Sequence, residues 1–342
     1  MATIKEIAKL AGVSRGTVDR VLNNRPGVNP DTAEDIRRIA AEVGYIPNLA
    51  GKLLAGRKKN LKLAFLSFDA PQYSFFRDVC DAARQKAAEL EPFGVTVRFY
   101  LIRDVSREAF HDLFAQVEAD GVDGVITTPM HMGLFEDFLH RMREKGVPFV
   151  FYNVDDYRDD RLCYVGCDYL RAGRVAAGLT ALCLGGAGVV GILTHVESDN
   201  QSFQERMMGY IAEIADHYPE IALLDGGAPT IFGQDDYGAV EELVHTHPEL
   251  RALYVVNLGD YSVCQVAHNA AGDRHIDIIT NDLVPDQRRM LKEGVIAATL
   301  GQQPEVQGGL SIQTIYEYLM FGTLPEAERC YTDLNIYIKQ NI

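Results

Sequence analysis

Two arginines near the start of the chain are placed where they could recognise the edge of a base. Arg15 and Arg20 lie in the segment SRGTVDRVLNN, and Asp19 directly precedes Arg20. Arginine can donate two hydrogen bonds to the major-groove edge of guanine, and a carboxylate can accept one from cytosine or hold an arginine in place. The alternative is a solvated basic helix, and charge alone does not decide between the two.

Polar and aromatic side chains also follow the predicted strands in the rest of the chain. Open parallel α/β sheets bind ligands at the carboxyl ends of their strands. A sugar or polyol needs donors and acceptors at its hydroxyls and an aromatic ring under its apolar face. These positions predict such a site, although His195 fits a buried strand-end imidazole equally well. The predicted ligand contacts of this kind are Asp69, Tyr73, Phe75, Phe76, Thr128, Asn153, Asp155, His195, Asn200, Asn257 and Asp282.

The two arginines belong to a pair of short helices joined by a tight turn. Apolar residues recur at helical spacing over 4–10, and Thr3 is the predicted N-cap. Gly12 supplies the turn, and Ser14 is the predicted cap of the second helix. A helix-turn-helix places the outer face of its second helix in the major groove of DNA. In this chain that face consists of Arg15, Gly16, Asp19 and Arg20.

A third helix and a basic segment complete the N-terminal region. Asn29 and Pro30 predict a helix start, and the apolar stripe of Ile36 to Val43 predicts a buried face. Residues 1–60 carry a net charge of +5, whereas residues 61–342 carry −20. A basic head on an acidic body attracts phosphates at the head and repels nucleic acid elsewhere.

The first 56 residues resemble the DNA-binding head of the LacI/GalR family of bacterial transcription regulators. The matching motifs are TIKEIAKLAGVS, TV-x-RVLN, the third helix and GYIPN, followed by a small-residue segment ending in LAG. The resemblance implies that Arg15 and Gly16 occupy the main base-reading positions, with Arg20 one turn further on. Because Gly16 has no side chain, base reading would depend on the two arginines. Asp19 departs from the family pattern, in which a small neutral residue is usual.

The same resemblance implies a hinge helix over Asn48–Ala55. Two such helices from a dimer would enter the minor groove, where Leu54 would wedge into a base step; ordinary packing is the alternative for Leu54. Gly51 costs up to about 1 kcal/mol relative to Ala inside a helix, which predicts a hinge that frays easily without DNA. The full set of predicted DNA-binding residues is Thr3, Ser14, Arg15, Gly16, Thr17, Asp19, Arg20, Asn23, Asn48, Gly51 and Leu54.

Residues 61–342 alternate short apolar runs with amphipathic helices. Buried parallel strands are predicted by apolar runs such as LKLAFLSF, VTVRFYL, GVDGVITTP, PFVFYNV, GVVGILTH, LRALYVVN and IDIITND. The number of units predicts two lobes, and the region resembles the periplasmic sugar-binding-protein fold, especially over FYNVDDYRDDRLCYVGCDYLRAGRVAAGL. This resemblance implies Arg206 and Gln302 as further ligand contacts and supports Asn257 and Asp282. Asp168 is a more natural helix cap than a ligand contact.

The predicted fold class is therefore α/β. An N-terminal three-helix helix-turn-helix head, about residues 1–47, is followed by a hinge helix and linker, about 48–60. A two-lobed, doubly wound parallel-sheet domain for effector binding and dimerisation covers the remainder, 61–342. Lobe one is predicted at about 61–167 plus 304–329, and lobe two at about 168–303 plus 330–342.

Two other patterns do not indicate functional sites. GAGVVG at 186–191 fits the spacing GxGxxG, but the predicted strand follows it, whereas a dinucleotide site requires the strand first. The six cysteines are scattered through apolar segments, which is typical of buried thiols in a reducing compartment. No grouping of Ser, Cys, His and Asp has the context of a catalytic motif. We expect no metal, no cofactor and no enzymatic activity.

The sequence predicts a homodimeric, cytoplasmic transcription regulator that binds double-stranded operator DNA. We find no signal segment and no membrane-spanning run, so no membrane partner is expected. The expected role is repression of a carbohydrate-utilisation operon, relieved by a small sugar or polyol. The alternatives are a corepressor such as a nucleobase or another small metabolite, and a sugar-binding receptor or an enzyme built on the same fold.

Overall fold

The computed structural model describes most of the chain in nine ranges. These are residues 3–22, 27–43, 60–69, 74–129, 132–156, 160–195, 201–233, 235–256 and 261–342. The helices within them are α1 (Ile4–Leu10), α2 (Arg15–Leu22), α3 (Pro30–Glu42), α4 (Ser74–Leu90), α5 (Arg107–Ala119), α6 (Met132–Glu144), α7 (Tyr169–Leu184), α8 (Gln201–His217), α9 (Gly238–Thr246), α10 (Ser262–Ala271), α11 (Pro285–Glu293) and α12 (Pro304–Phe321).

Local capping interactions begin the first two helices where the sequence predicts them. The Thr3 hydroxyl accepts a hydrogen bond from the Glu6 amide, and the Glu6 carboxylate accepts one from the Thr3 amide, which forms a capping box. Gly12 makes the turn with a φ of +64°, a conformation that costs glycine little. Ser14 Oγ then accepts from the Thr17 amide at 3.1 Å and caps α2.

The three N-terminal helices share a small apolar core. Ile7 of α1, Val18 of α2 and Ile36 of α3 are each 0% exposed. Asn29 caps α3 by accepting from the Asp31 amide, and Pro30 is its first residue, as predicted. This confirms the predicted three-helix head, whereas the predicted hinge helix lies outside the described residues.

The strands within the described ranges form two sheets. They are β1 (Leu61–Phe68), β2 (Val95–Ile102), β3 (Gly124–Thr127), β4 (Phe149–Tyr152), β5 (Cys163–Gly166), β6 (Gly188–His195), β7 (Ile221–Leu223), β8 (Thr230–Phe232), β9 (Leu250–Val255), β10 (Asp277–Asn281), β11 (Ala298–Gly301), β12 (Arg329–Tyr331) and β13 (Asn335–Tyr337). One sheet has the order β12-β5-β4-β3-β1-β2, and the other has the order β13-β11-β10-β9-β6-β7 with β8 also on β6.

Most of the recorded strand pairs are parallel, which confirms the predicted α/β class. Parallel pairing joins β1 to β3, β3 to β4, β6 to β9, β9 to β10 and β10 to β11. The last strand, β13, instead pairs antiparallel with β11. The short strands β5, β7, β8, β11, β12 and β13 lie outside the apolar runs named above, because three or four residues seldom make a recognisable run.

The chain divides into two compact units, each composed of several segments. Unit 1 contains residues 1–67, 80–164 and 308–330, and unit 2 contains residues 68–79, 165–307 and 331–342. The boundaries predicted from the sequence placed residues 68–79 in lobe one, whereas the structure assigns them to unit 2. No helix in the described ranges is long and apolar enough to cross a bilayer.

The sheet of unit 2 is covered by helices on both faces. On β9, Leu253 and Val255 pack in one core with α9, α10 and α11, whereas Ala252 and Tyr254 pack in a second core with α7 and α8. This alternation follows from the two-residue period of a strand. The sequence shows near-continuous apolar runs here because both faces of the sheet are buried.

Helices α7 and α8 pack with their backbones almost in contact. A Cβ added to Gly173 would lie 2.0 Å from the carbonyl oxygen of Arg206, and one added to Gly209 would lie 2.0 Å from that of Leu170. Both distances are far below van der Waals contact, so only glycine fits at either position. The two glycines therefore set the distance between the helices, and with it the position of Arg206.

We expect Gly209→Ala to lower the free energy of unfolding by about 1–3 kcal/mol or more, because the new methyl group must push α8 away from α7. Urea unfolding of the purified chain measures this. Gly178→Ala is the matched control on α7, since a Cβ there meets only the Tyr218 hydroxyl at 3.7 Å. That control should be neutral or slightly stabilising, through the higher helix propensity of Ala. Equal stability of the two variants would contradict the close packing.

Candidate DNA-binding and effector sites

The outer face of α2 presents both candidate base-reading arginines to solvent. Val18 and Val21 are buried in the head, which turns Arg15 and Arg20 outward, where both are exposed. Asp19 is partly buried beside them. This arrangement is the one that a helix needs in order to insert arginines into a major groove.

Several predicted DNA contacts have structural roles or lie outside the described residues. Thr3 and Ser14 cap α1 and α2, and the Thr17 hydroxyl lies 2.9 Å from Ser14 Oγ. Gly16 is exposed, and even a Cβ added there would meet only Ser14 Oγ at 3.7 Å, so the helix can approach a groove closely at this position. All of these stay predictions as DNA contacts. The predicted contacts outside the described ranges are Asn23, Asn48, Gly51 and Leu54.

In unit 2, Asp282 is held at the carboxyl end of β10 in a strained backbone conformation. Its φ is +72°, which is uncommon for a residue other than glycine. The Asp282 amide donates to the Leu300 carbonyl at 2.6 Å, and the Asp282 carbonyl accepts from Thr299 Oγ1 at 2.6 Å. Strained residues that the surrounding structure holds in place are concentrated at functional sites. Asp282 is therefore positioned by β11 as well as by its own strand.

Gln302 joins Asp282 to an aromatic ring. Its Nε2 donates to Asp282 Oδ1 at 2.7 Å, and its Oε1 accepts from the Tyr169 hydroxyl at 3.2 Å. The Arg206 guanidinium carbon lies 4.6 Å from the centre of the Tyr169 ring, within cation–π distance. The structure thus brings together three residues predicted from the resemblance, Arg206, Asp282 and Gln302. We call these three residues and Tyr169 the polar cluster.

Arg206 carries its charge inside the protein. The side chain is only 4% exposed, and its Nε has no hydrogen-bond partner among the described residues. Burial acts to lower the pKa of Arg206, but Tyr169 and Asp282 outweigh it and raise the pKa, so the guanidinium stays protonated. A buried donor without an acceptor costs about 1–3 kcal/mol, and more when it is charged. The polar cluster is consequently suited to a ligand that supplies acceptor oxygens.

The Asp282 carboxyl balances the positive charge of Arg206 only in part. Loss of solvent raises its pKa above the ordinary value, while Arg206 and the hydrogen bond from Gln302 act in the opposite direction. A carboxylate and a guanidinium close to one another can accept from and donate to neighbouring hydroxyl groups of one sugar. The polar cluster therefore has the donor and acceptor pattern that a polyol requires.

A second layer of buried polar groups holds the Asp282 loop. Gln287 is 0% exposed, and its Oε1 accepts from the Val284 amide while its Nε2 donates to the Asn281 carbonyl and to Thr280 Oγ1. The Asn281 side chain donates to the carbonyls of Val255 and Val256 on the next strand. Sequence reasoning did not find the roles of Tyr169 and Gln287. A polar residue on the buried face of α11 was the available signal for Gln287.

The predicted ligand contacts in unit 1 differ in whether their polar atoms are already hydrogen-bonded within the protein. The Asp155 carboxylate accepts from Arg161 at 2.9 Å and from Arg329 at 3.0 Å, which accounts for its burial without a ligand. Asn153 follows β4 with a φ of +64°, and its carbonyl accepts from a tyrosine hydroxyl. Thr128 is 1% exposed, and its hydroxyl has no partner among the described residues. Of the three predictions, Thr128 retains the clearest unused hydrogen-bonding capacity.

The remaining predicted contacts in the described part of unit 2 are two phenylalanines, a carboxylate and an imidazole. Phe76 packs edge-on against Phe75, and both rings are partly exposed, as is Asp69. His195 is buried at the end of β6 and packs edge-on against Phe232, which fits the strand-end interpretation. Asp168 caps α7 by accepting from a backbone amide, as expected. The predicted contacts Tyr73, Asn200 and Asn257 lie outside the described residues.

Two protein-family models match the chain, one over each of its functional parts. The model for bacterial regulatory proteins of the lacI family matches residues 3–48, which include the whole of α2. The model for a periplasmic binding protein domain matches residues 64–323, which include the polar cluster. The chain belongs to the periplasmic binding protein domain family over residues 64–323 and carries a lacI-family domain at residues 3–48.

Several curated relatives of this chain are named as repressors. The probable HTH-type transcriptional repressor ExuR of Bacillus subtilis is 30% identical over 220 residues, which are 64% of this chain and 62% of that protein. The sucrose operon repressor of Escherichia coli is 34% identical over 131 residues, which are 38% of each chain. The matched segments therefore span less than two thirds of these relatives.

Solved structures share the fold of this chain over most of its length. GanP, a glucose-galactose binding protein from Geobacillus stearothermophilus, has a TM-score of 0.69 at 22% identity and covers 82% of this chain and 98% of its own. A putative LacI transcriptional regulator from Bacteroides fragilis has a TM-score of 0.70 at 20% identity and covers 83% and 98%. At these identities the likeness establishes the fold alone.

We expect Asp282→Asn to raise the free energy of unfolding at pH 7 in the absence of ligand. The raised pKa of Asp282 means that the folded chain holds this proton more tightly than the unfolded chain. The charged carboxylate therefore opposes folding at neutral pH, and this cost fades as the pH falls through the folded-state pKa. The difference between variant and parent should accordingly shrink between pH 7 and about pH 4.

Urea unfolding at both pH values measures this difference. The control is Asp216→Asn on the exposed side of α8, which should change stability by less than about 0.5 kcal/mol at either pH. A lower free energy of unfolding for Asp282→Asn at pH 7 would contradict the prediction, because it would show that the folded protein stabilises the charged carboxylate.

Proposed function

We propose that the chain is a DNA-binding repressor of a carbohydrate-utilisation operon and that a small sugar or polyol changes its affinity for operator DNA. The observation that carries the proposal is the polar cluster, where the buried Arg206 has an unused donor beside the Asp282 carboxylate. The exposed arginines of α2 supply the means of reading DNA in the same chain. Relatives named sucrose operon repressor support the carbohydrate class.

The proposed mechanism couples ligand binding to the DNA-binding head through a two-state equilibrium. Two copies of the chain would bind a pseudo-palindromic operator, because each head reads one half-site. Sugar hydroxyls would satisfy Arg206 and Asp282 in one conformation better than in the other. The resulting shift can be no larger than the difference between the two ligand affinities. We propose induction, in which the sugar favours the state released from DNA.

The proposal excludes a catalytic role and places the protein in the cytoplasm with the DNA it binds. Support comes from the domain at residues 3–48, which matches a family of bacterial regulatory proteins. Turnover of a sugar by the purified chain would contradict this part of the proposal.

We expect Arg15→Ala and Arg20→Ala each to weaken binding to the selected operator by about 1–3 kcal/mol, or about 5- to 150-fold. Binding to random DNA should fall much less, since only base contacts are lost. The operator is first selected from a random duplex library, and fluorescence anisotropy then gives both affinities at fixed salt. Arg171→Ala, which removes an exposed charge from α7, is the control and should leave both affinities unchanged.

Arg206→Met should abolish stabilisation by the effector while leaving a folded protein. Methionine has a similar length and removes the buried charge, but it also leaves the Asp282 carboxyl without its opposite charge, so some loss of stability without ligand is expected. Circular dichroism checks that the variant is folded. Losing hydrogen bonds from a charged donor costs about 1.5–3 kcal/mol, so effector affinity should fall at least about tenfold. Arg174→Met, on the exposed side of α7, is the matched control and should bind the effector normally.

A thermal-shift screen of sugars, polyols, their phosphates and nucleobases identifies the effector for this test. Calorimetric titration of the two variants with that compound then gives the affinities. Stabilisation by a nucleobase alone would replace the sugar with a corepressor of another class. Operator binding that ignores every stabilising compound would contradict the proposed switch.

A further inference from the structure

Thr332 joins three segments of unit 2 that lie near points where the chain crosses between the two units. These crossings follow residues 164, 307 and 330. The Thr332 amide donates to the Gly166 carbonyl at 2.8 Å, and the Thr332 hydroxyl donates to the Gln302 carbonyl at 3.0 Å. All three residues belong to unit 2, and Thr332 itself is buried. Thr332 therefore ties the segment after the last crossing to a residue near each of the other two.

The main chain at Gln302 has further anchors besides Thr332. Gln307 Nε2, at the start of α12, donates to the same Gln302 carbonyl at 2.8 Å. The next residue, Gln303, accepts from the Asp333 amide at its Oε1 at 2.9 Å. Gln303 has a φ of +52°, which a residue other than glycine seldom adopts unless its surroundings hold it there. Hydrogen bonds from two other parts of the chain therefore fix this short stretch of backbone.

The side chain of Gln302 connects this fixed backbone to the polar cluster. Its Nε2 donates to Asp282 Oδ1 at 2.7 Å, and its Oε1 accepts from the Tyr169 hydroxyl at 3.2 Å. Burial raises the pKa of Asp282, whereas the hydrogen bond from Gln302 acts in the opposite direction and favours the charged carboxylate. Hydrogen bonds to an ionised acceptor are roughly twice as strong as neutral ones. A shift of the Gln302 backbone would therefore remove a strong donor from Asp282.

We propose that Thr332 is a positioning residue of the polar cluster and that it acts through Gln302. The Thr332 hydroxyl fixes the Gln302 carbonyl, and the fixed backbone holds the Gln302 amide on the Asp282 carboxylate. Thr332 and Asp282 are thereby coupled through one intermediate residue. An effector that binds Asp282 then also acts on the segment by which the chain enters unit 2 for the last time. Only this last step rests on the proposed function, because the positioning belongs to the unliganded chain.

A double-mutant cycle in the full chain tests this coupling without ligand or DNA, so its outcome does not depend on the proposed function. Thr332→Val removes the hydroxyl and keeps a β-branched side chain, and Asp282→Asn removes the charge with a residue that tolerates positive φ. We expect Thr332→Val to lower the folding equilibrium constant at least about twofold more in the parent than in the Asp282→Asn background. Urea unfolding at pH 7 and one protein concentration measures all four proteins. An equal loss in both backgrounds would overturn the proposal.

Two further variants test whether the coupling runs through the Thr332 hydroxyl and the Gln302 side chain. Thr332→Ser keeps the hydroxyl and should not show the excess loss that Thr332→Val shows in the parent. Gln302→Ala removes the amide that connects the two sites and leaves the carbonyl. In that background, Thr332→Val should reduce stability equally with and without Asp282→Asn. An excess loss that persists in the Gln302→Ala background would contradict the route through Gln302.

Thr246→Val on α9 is the matched control for the loss of a hydroxyl. The Thr246 hydroxyl donates to the Glu242 carbonyl at 2.7 Å, so the variant removes a bond of the same kind at another place. Its effect on stability should be the same with and without Asp282→Asn, as for independent sites. Circular dichroism checks that each variant is folded. If Thr332→Val is not, Gln307→Met replaces it in the cycle, because it removes the other side-chain donor to the Gln302 carbonyl and should show the same excess loss.

Discussion

The backbone contact between α7 and α8 is the constraint on which the polar cluster depends. Gly173 and Gly209 allow each helix to approach a carbonyl oxygen of the other, and a Cβ at either position would lie 2.0 Å from that oxygen. Arg206 contributes one of the two carbonyls and lies one turn before Gly209, on the same side of α8. Its guanidinium can reach the Tyr169 ring at the start of α7 because the helices are this close. Glycine therefore has a positioning role here, although it contributes no functional group.

The polar cluster is arranged at a cost in stability. Asp282 combines a positive φ with a raised carboxyl pKa, and Arg206 keeps its charge with one donor unused. Gln287 and Thr299 compensate by fixing the backbone around Asp282 with hydrogen bonds that leave its carboxylate to face Gln302. Such an arrangement is expected where a ligand, rather than the protein, completes the hydrogen bonds.

The sequence predicted what short-range interactions decide. Thr3, Gly12 and Ser14 act locally, so their capping and turn roles could be inferred from residue type and spacing. Arg206 and Gln302 were predicted as ligand contacts only from the resemblance to sugar-binding proteins. Residue type alone would not distinguish them from a surface arginine and a loop glutamine. Gln287 binds the nearby backbone of Asn281 and Val284, and its signal, a polar residue on a buried helix face, was overlooked. Tyr169 was missed because its role depends on a contact with Gln302, which is distant in the chain. The shortest strands were missed for the same reason, since neighbouring strands define them.

The buried charges of the two units suggest where ligand recognition is concentrated. In unit 1, Asp155 accepts hydrogen bonds from Arg161 and Arg329, so this carboxylate has its partners within the protein. In unit 2, Arg206 lies against an aromatic face and near one carboxyl group that a glutamine already binds. Removing a partner from a satisfied ion pair mainly destabilises the protein, whereas an incompletely satisfied charge gains energy when a ligand binds. The energetic contribution to effector binding should therefore come chiefly from Arg206 and Asp282, and Asp155 should act as a structural residue.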